Sequence, residues 1–146
     1  YFMRRYLDTA DKHLADTQLS YVDRFKGFFD DFLIFFETSG FVGGCPIGNF
    51  SLEMSDLNEN FRKKLLESFE QMKKKLLSFL EPAQRCGEIA GDIDLDETAD
   101  FIVNSWEGAL MRIKVTRTRA PMMLFYKAIF ENLLKKCPSP ARAPGG

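Results

Sequence analysis

The sequence predicts an all-α protein, and three observations carry that expectation. Apolar residues recur at three- and four-residue intervals from the amino end to about position 136. No alternating apolar and polar run is long enough for a strand, and two Asp-x-x-Glu signatures stand where long periodic segments begin. The 146 residues suffice for one hydrophobic core, so a single domain is expected over 1–137, followed by a disordered Pro/Ala/Gly tail over 138–146.

Residues 1–15 read as a helix whose apolar members Phe2, Tyr6, Ala10 and Leu14 repeat every fourth position, with Tyr1 as a cut or disordered junction. A second helix, about Tyr21 to Thr38, carries Tyr21, Phe25, Phe28, Phe29, Phe32, Phe35 and Phe36 on a face wide enough to meet more than one neighbour. Gly40, Gly43, Gly44 and Pro46 then break the chain before a short helix from about Ile47 to Met54. Asp56 and Glu59 form the first capping signature and open the longest helix, whose stripe is Phe61, Leu65, Phe69, Met72, Leu76, Phe79 and Ala83. Pro82 is expected to bend its last turn and Gly87 to end it.

Asp94 and Glu97 form the second signature, opening a helix expected over 95–118. At 100° per residue it has two apolar faces: Ala99, Ile102, Val103, Trp106, Ala109, Leu110 and Ile113 on one side, Phe101, Gly108, Met111 and Val115 nearly opposite. The second set is a heptad seam with a small residue at its centre. Pro121 suits the first turn of a last helix, about 121–136, stopped by Cys137-Pro138 and polar only along Lys127, Glu131 and Lys135. Two helices greasy on two sides predict a homodimer through a four-helix bundle, with Phe101, Gly108, Met111, Val115, Phe125, Ile129, Phe130 and Leu133 at the interface.

Composition narrows the function. Apolar residues at 45% and charged residues at 28% are the balance of a folded globular chain. No apolar run approaches the roughly 20 residues that span a bilayer, and the amino end has no signal-peptide core, so a cytoplasmic location without a membrane partner is expected. Three cysteines and one histidine argue against a disulfide framework, a metal cluster or a cofactor, and His13 beside Lys12 reads as a surface residue. A net charge of −1 leaves no electrostatic footprint for DNA on this chain itself. Cys45 with His13 would be a nucleophile and base on paper, but no third orienting group, phosphate loop or paired metal ligand accompanies them, so an enzyme is not expected. Fifteen Phe either fill a core or leave a shaped apolar gap for a ligand.

Four segments in register resemble the carboxy-terminal half of TetR-family transcriptional regulators. They are Gly44-Cys45-Pro46-Ile47-Gly48-Asn49, then Asn58-Glu59-x-Phe61-Arg62, then Gly87-Glu88-Ile89 with Asp92 and Asp94, and Trp106-Glu107-Gly108-Ala109-Leu110. The resemblance runs from about Tyr1 to Lys136. It implies a nine-helix regulator, in the first instance a repressor, whose first three helices bind operator DNA and whose remaining helices sense a small molecule and dimerise. Residues 1–15 would be the lower part of the helix joining the two domains, and the helix-turn-helix that contacts DNA would precede Tyr1.

On that resemblance, Phe29, Phe32, Phe36, Ile47, Phe50, Phe69, Met72 and Trp106 are expected to hold a small effector, largely apolar or aromatic, although plain packing is the commoner role of any one of them. Cys45 would either react with electrophiles or oxidants from a glycine-rich turn or simply fit a tight bend. Glu107 would orient a polar part of the ligand, pair with Arg112 or Lys114, or be a satisfied structural carboxylate. Asn49 and Ser51 are equally open. Arg112, Lys114, Arg117 and Arg119 read as complements of a helix carboxy end rather than a nucleic-acid patch. Two alternatives stand beside the effector sensor: a redox sensor acting through Cys45, and a helical protein adaptor with a filled core.

Overall fold

The computed structural model describes residues 1–135 and consists of helices joined by short turns. In order they are α1 (Phe2–Leu14), α2 (Tyr21–Thr38), α3 (Pro46–Met54), α4 (Glu59–Arg85), α5 (Leu95–Thr116) and α6 (Ala120–Tyr126), the last continuing as a π-helical segment (Lys127–Leu133). The expected stop at Cys137-Pro138 and the expected disordered tail lie outside the described residues. Among the described residues no helix is long and apolar enough to cross a membrane.

The longer helices start where side chains satisfy orphan amides. Ser20 accepts from the Asp23 amide at 3.1 Å, and Glu88 reaches across from beyond α4 to accept from the Tyr21 and Val22 amides at 3.2 and 3.0 Å. That second contact fixes the amino end of α2 against the turn after α4, and Ile89 beside it is fully buried. Asp94 caps α5 as its signature predicts, accepting from the Glu97 amide at 3.0 Å. The first signature is corrected: Asn58, not Asp56, caps α4, accepting from the Phe61 amide at 2.9 Å, while Glu59 turns to a bidentate pair with Arg62 at 2.8 and 2.7 Å. Two turn residues separate Asp56 from the helix, too far for its carboxylate to act at the first turn.

α4 runs through Pro82 to Arg85 and ends at Gly87, whose φ of +71° closes a reciprocal carboxy-terminal cap. The Glu88 amide donates to Ala83 at 2.8 Å and the Gly87 amide to Gln84 at 3.0 Å. α5 stops two residues short of the expected 118 because Arg117 adopts a left-handed φ of +54°. Its guanidinium donates to the Gly40 carbonyl at 3.3 Å, while Arg119 pairs with Glu37 at 2.8 Å. These two cations therefore tie the end of α5 to the end of α2 as well as facing a helix carboxy end.

α4 packs against α1, α2, α3 and α5, and α5 packs against α6. Lys73 of α4 bridges Asp96 and Asp100 of α5 at 2.8 Å each, and Lys75 reaches Asp11 of α1 at 2.7 Å. Buried Arg24 donates to the Leu19 and Leu14 carbonyls at 2.9 and 3.1 Å, satisfying the turn between α1 and α2. His13 is not the surface residue expected from its neighbours. Its ring packs over Gly27, where a Cβ would stand 2.9 Å from the imidazole, and it pairs with Asp31 at 3.0 Å.

The reassigned cap is directly testable. Asn58→Ala should cost about 1 kcal/mol in chemical denaturation, whereas Asp56→Ala should change stability by less than about 0.5 kcal/mol. The reverse ranking would restore the capping box.

Candidate functional site

The wide face of α2 is filled, not hollow. The Phe29 ring lies 5.0 Å from Phe25, 5.1 Å from Phe28, 4.8 Å from Trp106 and 5.1 Å from Phe125, mostly edge to face. Phe32 and Phe36 lie 6.1 and 6.2 Å from the Trp106 ring centre. Phe29, Phe32, Phe36, Met72 and Trp106, expected around a ligand, are all buried in this layer and line neither of the two apolar cavities found beside α5.

The open space lies one layer away. A half-open cavity of about 410 Å³, with Leu52, Met111 and Val115 at its exposed rim, sits between α3, the middle of α4 and the carboxy-terminal half of α5. Its apolar walls are Leu52, Phe69, Leu110, Met111 and Val115, and its polar edge is Cys45, Asn49, Glu107 and Lys114. On α5, positions 107, 111, 114 and 115 share one face by helical spacing. α3 contributes because none of its residues is fully buried, so it covers the cavity without filling it.

Two glycines make the polar edge possible. A Cβ at Gly48 would collide with the Glu107 carboxylate, so only glycine lets the start of α3 come this close to α5. At Gly44, with φ of +71°, a Cβ would stand 2.8 Å from Lys114 Cδ. Asn49 then joins the pieces, donating to the Gly43 carbonyl at 2.6 Å and accepting from Lys114 Nζ at 3.1 Å. Lys114 is thereby engaged with Asn49. No ion pair of Glu107 with Arg112 or Lys114 forms within 4 Å, in contrast to one expectation.

Burial raises the Glu107 carboxyl above the ordinary carboxylate range, partly offset by the Cys45 thiol beside it. Burial, and then the Glu107 charge, push the Cys45 thiol well up, outweighing the Gly48 and Ile47 amides at the α3 amino end. Glu107 Oε1 is shut off from solvent and has no hydrogen-bond partner. The carboxyl is therefore only partly satisfied, with the Cys45 thiol as its donor.

The predicted site thus divides. Cys45, Asn49, Phe69 and Glu107 meet at the cavity, Ile47 packs half-buried beside it against the core, and Phe50 lies outside, stacked edge to face on Phe61 at 5.7 Å. Ser51 lines the cavity and donates to the Ile47 carbonyl at 2.8 Å. Gly48, Leu52, Leu110 and Lys114 were not anticipated as lining residues. The shared-face spacing from Glu107 would have found Lys114, but nothing in the sequence marks Leu52.

The expected seam divides as well. Phe101, Met111 and Val115 are exposed on α5, and a second hollow of about 230 Å³ lies between α5 and α6, lined by Phe101, Gly108, Pro121 and Leu124 among others. Phe125 and Ile129 are instead buried inside the protomer, and Phe130 and Leu133 are half-buried against the core. Phe125 turns inward within α6 to pack on Phe29 and Trp106, and the π-helical register after Tyr126, marked by the Leu134 amide donating to Ile129 at 2.8 Å, shifts the residues that follow away from a 3.6-residue phase. Leu124, at 62% exposure, takes the outward position. Met111 and Val115 border the larger cavity, and Gly108 borders both.

The domain is therefore all-helical, with a filled aromatic layer and open space on either side of α5. The chain belongs to the tetracyclin repressor-like C-terminal domain family, whose model matches residues 22–129. It is 43% identical over 91 residues to the HTH-type transcriptional repressor DhaR of Mycobacterium sp. (strain GP1), covering 62% of this chain and 46% of that protein. It is 35% identical over 86 residues to the transcriptional regulator AcuR of Cereibacter sphaeroides, covering 59% and 39%. The crystal structure of regulatory protein TetR from Rhodobacter sphaeroides superposes with a TM-score of 0.84 at 27% identity, covering 89% of this chain and 69% of that one. The chain spans less than half the length of these two curated relatives.

The thiol environment yields a prediction. With exposed Cys86 as internal reference, peptide mapping after timed alkylation at pH 8 should find Cys45 labelled at least about tenfold more slowly. A Cys45 that labels as fast as Cys86 would mean that burial does not govern its reactivity.

Proposed function

We propose that this domain senses a small, largely apolar effector in the cavity between α3, α4 and α5, and that the effector alters operator binding by a DNA-reading domain outside this chain. The single observation that carries the proposal is the cavity itself, about 410 Å³ with apolar walls and a short polar edge, the size and character of a small-molecule site. It favours the sensor over a filled-core adaptor. The high thiol pKa at Cys45 speaks against the redox alternative, since the thiolate is the reactive species. The relatives named as transcriptional regulators support the class and give no support to an enzyme.

The domain works as a homodimer in the cytoplasm, two copies meeting across the exposed side of α5 and α6 to hold paired DNA-reading heads at half-site spacing. Phe101 and Leu124, 55% and 62% exposed around an apolar hollow, are the side chains with most to gain from that contact. An effector that prefers one arrangement of the domain shifts the population of head spacings, which is the route from binding to gene control.

Two experiments test this. A compound bound at 100 times its Kd should stabilise the domain by about 2.7 kcal/mol, read as a rise in Tm, and Met111→Trp, which puts an indole in the cavity, should abolish the rise. A panel of small aromatic and aliphatic compounds that never raises Tm would argue against the sensor. In sedimentation, the unsubstituted chain should run as a dimer and a Phe101→Glu, Leu124→Glu double variant as a folded monomer; a monomer at every concentration before substitution would remove the dimer.

A further inference from the structure

We infer that the effector carries a hydrogen-bond donor, an amine or a hydroxyl, on its apolar body, and that the Glu107 carboxyl receives it. This rests on the cavity being the effector site. Four observations converge on Glu107. It lines an otherwise largely apolar cavity, and its Oε1 is buried without a hydrogen-bond partner, the weakly donating Cys45 thiol serving the carboxyl's other side. No Lys, Arg or His stands within ion-pair distance of it among the described residues. The one ammonium on the same cavity wall, Lys114, gives one of its three N–H groups to Asn49 at 3.1 Å and stands more than 4 Å from the carboxyl.

A buried carboxyl oxygen without a partner costs more than a hydrogen bond gains, so a structural role alone leaves Glu107 unexplained. Gly48 sharpens the point. Its missing Cβ makes room for this carboxylate, so the backbone accommodates a group of which the Cys45 thiol satisfies one side and nothing satisfies Oε1. The carboxyl torsion is broad and nearly two-fold, so a small rotation turns the starved oxygen toward a molecule in the cavity without moving α5.

A ligand donor placed there satisfies Oε1, and a protonated amine would also neutralise the carboxylate. A ligand carboxylate meets the opposite situation: next to Glu107 it brings a second acceptor or a second negative charge where a donor is missing. A plain hydrocarbon fills the walls and leaves the polar edge as it is. The site therefore ranks ligands of one shape by what their polar end donates.

The test is a matched series on one body, measured by calorimetric titration of the 146-residue chain: propylbenzene, 3-phenylpropan-1-ol, 3-phenylpropylamine and 3-phenylpropanoate. The alcohol and the amine should bind at least about tenfold more tightly than the hydrocarbon, and the carboxylate no better than the hydrocarbon. Glu107→Leu, checked for an unchanged unfolding midpoint or better, should remove that advantage while the hydrocarbon still binds. Glu107→Gln, which keeps an acceptor and loses the charge, should leave the alcohol favoured and bring the amine down to it. Equal binding of alcohol, amine and hydrocarbon, or tightest binding of the carboxylate, would overturn the donor requirement and leave the effector cavity standing. An advantage that survives Glu107→Leu overturns the assignment to Glu107. No binding by any of the four overturns the cavity as the site for ligands of this size, and the donor inference with it.

Discussion

The structure depends on the packing of Phe29. One ring touches Phe25 and Phe28 on its own helix, Trp106 on α5 and Phe125 on α6, all within 5.1 Å. Each aromatic ring brings about 150–250 Å² of surface out of water, and edge-to-face geometry adds to that, so this layer fixes α2, α5 and α6 as one body. The larger open space lies outside that layer, beneath α3, the short helix that buries no residue completely and is held to its neighbours by Asn49, Lys114 and the fit of Gly48 against Glu107.

On the proposed sensor reading, that division offers a physical route from ligand to dimer. α5 is shared: Trp106 belongs to the filled layer, Glu107 and Met111 to the cavity, Phe101 to the exposed face, and Gly108 to the borders of both hollows. A molecule bound against Met111 and Val115 presses on the helix that also carries the outward apolar surface. Packed cores do not deform continuously, so such pressure moves α5 as a unit or not at all.

Much of the fold was legible in the sequence, and the failures have physical causes. The end of α2 could be bounded because the Gly40 break is a strong local signal, and the α5 start because Asp94 caps it. Asp56 misled because a capping pattern states only spacing, and Asn58, equally able to cap, stood nearer the helix. The last helix misled more seriously: it is apolar nearly all round, so periodicity did not say that Phe125 and Ile129 face in while Leu124 faces out, and the π-helical register beyond Tyr126 has no signature in the sequence. For the cavity, aromatic content pointed to α2, yet rings that fit one another leave no gap. The motif residues Cys45, Asn49 and Glu107 were better guides than the Phe count, because polar groups retained beside a core need a reason, whereas buried rings do not.

The central claim is that the empty space and the filled layer are different places. Methyl-labelled NMR spectra of the chain titrated with toluene measure this most directly. The account predicts shifts for the methyls of Leu52, Leu110, Met111 and Val115, with Met72, Leu76 and Leu80 of the packed interior unmoved. Shifts confined to the packed interior, or none at any methyl up to saturating toluene, would contradict it.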